Sequence, residues 1–149
     1  MATVKNSPKR KYAEYFVGVK ALLRRGDAFL FLKDDSGLYI DLPGGRIDEV
    51  EHNVPIPEII DREIKEEIGF KVKYRLGHLA FQFRRHSDDT GNHIFISVYE
   101  AEYLSGEVKL SHEHTGYQWF NPNEEDLKRK DFSNDEEFSA FKVYFKSLD

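Results

Sequence analysis

Residues 62–70 read "REIKEEIGF", and the three glutamates in that stretch set a physical problem. Ile60, Ile64 and Ile68 recur every four residues, as one buried stripe of an α-helix does, and Gly69 supplies a C-terminal stop. Pro57 suits the first turn, where its missing N–H would have had no partner anyway. On such a helix Glu63, Glu66 and Glu67 face one another, and each like-charge pair costs roughly 0.2–0.5 kcal/mol. At about 100° per residue they centre on a stripe beside the isoleucines, so one face anchors the helix and its neighbour presents carboxylates. A bound divalent cation turns that repulsion into attraction, because Mg²⁺ takes oxygen ligands and is held by a few carboxylates while it keeps waters and binds phosphates. The competing reading is a plain solvated face on which Arg62 and Lys65 soften the repulsion.

Upstream, "YFVGVKALL" (15–23) is β-branched and apolar enough for a buried strand, and "RRGD" turns it into "AFLFLK" (28–33), forming a hairpin. "DDSG" (34–37) is a second turn, "LYIDL" (38–42) a short strand closed by Pro43, and residues 44–57 a loop with two glycines and two prolines. Downstream, residues 70–86 and 93–104 read as two strands joined across "SDDTGN" (87–92). "EVKL" (107–110) and "YQWF" (117–120) read as shorter strands, and "NPNEEDLKRK" (121–130) as a short helix. Phe138, Phe141, Phe145 and Leu148 fall at the spacing of an amphipathic helix. The order of strands, helix, strands, helix predicts a mixed α/β domain with helices covering a sheet.

A chain of 149 residues suffices for one core that removes roughly two-thirds of its unfolded surface from water, so we expect one domain over 1–149 with residues 1–12 as a leader. Twelve Phe and eight Tyr supply that core. A net charge of -5 argues against a nucleic-acid polymer or an acidic membrane as partner, and leaves a small anionic substrate open. With no cysteine, disulfides, thiolate catalysis and Cys-based zinc sites are excluded. The amino terminus lacks the apolar core of a signal peptide, and no segment is long enough to span a bilayer, so the expectation is a cytoplasmic protein.

"GGRIDEVE" followed by "REIKEEIGF" resembles the signature of the Nudix (MutT-like) hydrolases. Gly45 and Glu51 match its first spacing, and Arg62, Glu63, Glu66, Glu67 and Gly69 match its second block position by position. Phe70 stands where an aliphatic residue is usual, and ten residues rather than seven separate Glu51 from Arg62. The resemblance implies an α/β/α sandwich, a mixed sheet flanked by helices, and hydrolysis of a diphosphate linkage with Mg²⁺ or Mn²⁺. By it, Glu66 and Glu67 are metal ligands, Glu63 a ligand or the group that orients water, and the backbone of Gly45 a further metal contact. Glu51 and Arg62 brace the loop. Glu113, in "SHEHTGYQW", matches a loop glutamate that completes the metal site or acts as base, with His112 and His114 as alternatives.

Arg46, Arg84 and Arg85 are the candidates for substrate phosphates. Tyr117 and Trp119 share one strand face, either as core or as a platform for a base. The substrate implied is a nucleoside triphosphate or a nucleoside diphosphate linked to another moiety. Positions that carry a marker proline or tyrosine in ADP-ribose and dinucleoside polyphosphate subfamilies fall in "RRHSD" here, with neither, which disfavours both. The longer spacing before Arg62 keeps a second hypothesis, a nucleotide-binding or sensing module with weak or no turnover. A third is an interaction protein whose glutamate face meets a partner. A homodimer is left open by analogy to the family.

Overall fold

A computed structural model describes residues 9–86 and 91–149. β1 (Tyr15–Arg25) and β2 (Ala28–Lys33) form the predicted hairpin, with Arg25 paired to Ala28 across a turn in which Gly26 takes a positive φ of 62°. β3 (Ile40–Asp41) and β7 (Gly116–Phe120) pair with β2, and β4 (Gly44–Arg46) pairs antiparallel with β1. β6 (His93–Ser105) runs parallel to β1 from Tyr15 and His93 to Arg24 and Glu102, and β5 (Lys73–His86) pairs antiparallel with β6. Among the described residues the result is one mixed sheet of seven strands.

β1 and β2 are buried on both faces, which is why they read as nearly continuous apolar runs. On one face Val19, Ala21, Leu23, Leu30 and Leu32 pack against Ile59, Ile60, Ile64 and Ile68 of α1 (Ile56–Ile68). On the other, Leu22, Phe29, Phe31, Phe83, Ile96 and Val98 pack against Phe141 and Phe145 of α2 (Asp135–Lys146). One helix therefore covers each face, giving the expected α/β/α sandwich.

α1 starts at Ile56 and holds Pro57 in its first turn, as expected. Several other elements differ. The strand after α1 begins at Lys73 because Gly69, at φ 96°, breaks the chain direction and leaves Phe70 exposed. Residues 107–110 form no strand. Their donors go to the end of α1, where Lys109 N–H donates to the Ile68 carbonyl at 2.9 Å and Ser111 N–H to that of Glu67 at 3.0 Å. Residues 121–130 form no α-helix: the Asn121 carbonyl accepts from Glu124 and Glu125 in a single turn, and only a 3₁₀ turn at Arg129–Asp131 follows. The strand expected over 38–42 shrinks to β3, and Leu148 lies past the end of α2. Residues 1–8 of the leader and 87–90 of the expected turn lie outside the described residues.

Candidate active site

β4 pairs with β1 beside α1, and its two glycines meet their surroundings closely. A Cβ on Gly44, whose φ is 144°, would stand 2.1 Å from the Val19 carbonyl oxygen. A Cβ on Gly45 would stand 2.7–2.9 Å from the Glu63 carboxylate. The two glycines thus let the carboxylates of α1 rest on the backbone of β4. Gly44 N–H donates to Glu67 Oε2 at 2.7 Å.

Arg62 relieves much of the repulsion among the glutamates. Its Nε and Nη2 grip Glu51 at 2.9 Å each, Nη2 lies 3.1 Å from Glu63 Oε1, and Nη1 donates to Glu66 Oε2 at 3.0 Å. Glu51 closes a 3₁₀ turn, Glu49–Glu51, in which its Oε1 also accepts from Asp48 N–H at 3.0 Å. Residues 52–55 link that turn to α1, and Glu51 still reaches Arg62.

A groove of about 340 Å³ brings together Gly45, Arg46, Glu63, Glu67, Arg85 and Glu113 over a floor of Gly18, Ile94 and Ile96. Glu66 is not in it: 57% exposed and tied to Arg62, it faces a separate hollow beside Phe70 and Tyr74. Arg84 is also outside, its guanidinium held by Glu136 and Tyr15. Arg85 reaches the groove wall but is gripped by Glu137 through Nε and Nη2 and by Asp41 through Nη1 at 3.3 Å. His112 and Glu113 are exposed, whereas His114 is buried with Nε2 3.5 Å from Asp41. Trp119 is half-buried against the core on the α1 side of the sheet, with the Arg25 guanidinium 4.0 Å from its ring centroid. Tyr117 is exposed.

Lys20 and Asp41 are the residues that sequence reasoning missed. Lys20 is buried in the groove wall, 3.1 Å from Asp41. A lysine interrupting the run "YFVGVKALL" was the available signal. Burial alone would raise the Asp41 carboxyl, but Lys20, Arg85, His114 and the Leu42 N–H hold it far below the usual carboxylate range. Burial pushes Glu67 up to about 7 against the pull of Lys20 and Gly44, and raises Glu63 against the pull of Arg62. The His114 imidazole is raised mainly by its bond to Asp41.

Among the described residues no three acidic or histidine side chains converge closely enough to cage a metal by themselves. The groove instead offers two carboxylates of α1, a third on Glu113 and bare backbone at Gly45, all oxygen donors. That set suits a hard cation such as Mg²⁺, which takes one or two carboxylates and fills its remaining positions with water and substrate phosphate.

Residues 14–141 match the NUDIX domain model. The chain belongs to the Nudix family. Nudix proteins of known structure resemble it over most of its length. A MutT protein from Methanosarcina mazei Go1 is 25% identical with a TM-score of 0.69, covering 93% of this chain and 99% of that one. A MutT Nudix hydrolase from Burkholderia pseudomallei is also 25% identical, with a TM-score of 0.67 and coverage of 91% and 99%. A UDP-X diphosphatase shares the fold at 17% identity, TM-score 0.66 and coverage of 96% and 68%. No curated protein sequence matches. As a Nudix-type pyrophosphohydrolase, the protein is an enzyme acting on acid anhydrides.

Proposed function

We propose that this Nudix enzyme hydrolyses, with Mg²⁺ or Mn²⁺ bound, the diphosphate linkage of a nucleoside triphosphate or of a nucleoside diphosphate linked to another moiety. The observation that carries the reading is the meeting of Glu63, Glu67, the Gly44–Gly45 backbone and Glu113 in one groove. Glu63, Glu67 and the Gly45 carbonyl would hold the metal, and Glu66 would join them only by leaving its ion pair with Arg62. When bound, the ion offsets the charge of the diphosphate and lowers the pKa of a coordinated water.

The chain's own groups do the rest. Glu113 sits at the groove mouth, exposed, where it can take a proton from the attacking water. Arg46 is the cation of the groove wall open to substrate phosphate, because Lys20 and Arg85 are held by Asp41 and Glu137. Arg85 shapes the wall while Asp41 and Glu137 hold it. Glu51 braces Arg62, which spaces the glutamates along α1. Most of the barrier reduction then comes from positioning and electrostatics, as in phosphoryl transfer generally.

The binding module without turnover drew its support from the longer spacing before Arg62. With Glu51 against Arg62, that spacing no longer argues for a disabled site. The test is mass analysis of products from a panel of canonical and oxidised nucleoside triphosphates, nucleotide sugars, ADP-ribose and dinucleoside polyphosphates, with and without Mg²⁺ or Mn²⁺. Metal-dependent cleavage of one compound above the rest is the expected result. A folded protein that cleaves none of them with metal present would refute the proposal.

A further inference from the structure

The Lys20 ammonium has three hydrogens, and three acceptors surround it: Asp41 Oδ1 at 3.1 Å, the Leu42 carbonyl at 3.3 Å and the Gly44 carbonyl at 3.4 Å. All three lie on the short segment from the last residue of β3 to the first of β4. With its donors turned inward, Lys20 is not a hook for phosphate, although it lines the groove. The same segment is tied to β1 once more through Ala21 N–H, which donates to the Pro43 carbonyl at 2.9 Å. It then delivers Gly44 N–H to Glu67 at 2.7 Å and lays Gly45 under Glu63. Asp41 also faces His114, the neighbour of Glu113, at 3.5 Å.

We propose that Lys20 is a positioning residue: its ammonium clasps the turn from Asp41 to Gly44 onto β1, so that the glycine backbone stands where Glu63 and Glu67 meet it. A lysine that served packing alone would stabilise the whole sheet and leave no local signature at the glycines. The clasp is a property of the metal-free chain; only its effect on turnover rests on the proposed function.

Two measurements test it. In metal-free wild type labelled with ¹⁵N-lysine, the Lys20 ammonium should give a slowly exchanging N–H signal. An ammonium exchanging like those of surface lysines would overturn the clasp without any variant being made. The second uses Lys20→Cys, the only cysteine in such a chain, alkylated with 2-bromoethylamine under denaturing conditions and refolded to restore an ammonium at nearly the same reach. In Lys20→Cys the Gly44 amide should exchange at least about tenfold faster while the core amides of Leu30 and Ile64 keep their rates. Turnover of the diphosphate substrate should fall about 10–100-fold with KM nearly unchanged, and aminoethylation should reverse both effects. Unchanged exchange at Gly44, an equal acceleration at every amide, or no recovery on aminoethylation would each refute it. A wild type that hydrolyses nothing would end the functional reading, while both exchange measurements would still decide the clasp.

Discussion

Glu67 lies under opposing influences that have a measurable sum. Burial raises its carboxyl to about 7 from an ordinary 4.5, with Lys20 and the Gly44 N–H pulling the other way. Because the folded state then binds the proton more tightly than the unfolded chain, this residue's contribution to stability is present below pH 4.5 and is lost as pH rises to about 7. A shift of that size corresponds to a loss on the order of 3 kcal/mol. Metal-free Glu67→Gln, which keeps an oxygen for Gly44, should therefore gain on wild type in thermal unfolding midpoint across that window; a difference independent of pH would contradict the assignment. Gly45→Ala isolates geometry from charge. Its Cβ would collide with the Glu63 carboxylate, so turnover should fall by as much as about 100-fold while the unfolding midpoint moves little. The glutamates themselves were legible in the sequence because their spacing is local, but which of them share a groove was not. Glu66 turns to Arg62 and Glu63 to Gly45, and that choice depends on a strand far away in the chain.

At the level of elements, α1 was readable from its four-residue isoleucine period, and β1 and β2 from their apolar runs. The segment 107–110 forms no strand although "EVKL" alternates like one, because its Lys109 donor and that of the following Ser111 go to the last carbonyls of α1. Those carbonyls have no partner within the helix, so the segment caps it. Lys109→Pro removes the N–H that reaches Ile68 and should lower stability by about 1–3 kcal/mol, read from the denaturant midpoint. α2 carries the second face. Phe141 is fully buried against Phe31, Phe81 and Phe132, and Phe141→Ala should cost about 3–5 kcal/mol in the same measurement. The ion pairs from Glu136 to Arg84 and from Glu137 to Arg85 tie the first turn of α2 to β5. Two arginines that the sequence offered as phosphate contacts are thereby engaged by the protein itself.

Across the whole molecule, the proposed metal couples the groove to stability. A ligand that binds only the folded state adds stability by mass action, about 2.7 kcal/mol at a hundredfold excess over its Kd. Mg²⁺ should accordingly raise the unfolding midpoint of wild type in proportion to the logarithm of its concentration and leave Glu67→Gln nearly unmoved; equal stabilisation of both would place the ion elsewhere. The net charge of -5 is no obstacle, since Arg46 lines the groove and the proposed ion would offset the charge of the diphosphate. By itself the sequence determined a mixed α/β plan with helices covering a sheet, the carboxylate helix and the glycine pair before it, because helical period, strand alternation and turn chemistry are written in neighbouring residues; the α/β/α layering was implied by the family resemblance. Only the tertiary structure decided that Lys20 and Asp41 are buried together, that Gly44 meets Glu67 and that Glu51 keeps Arg62 across a longer loop. Those partners lie 21, 23 and 11 residues apart, and burial makes each polar group take whichever partner the packed sheet and helices bring within reach.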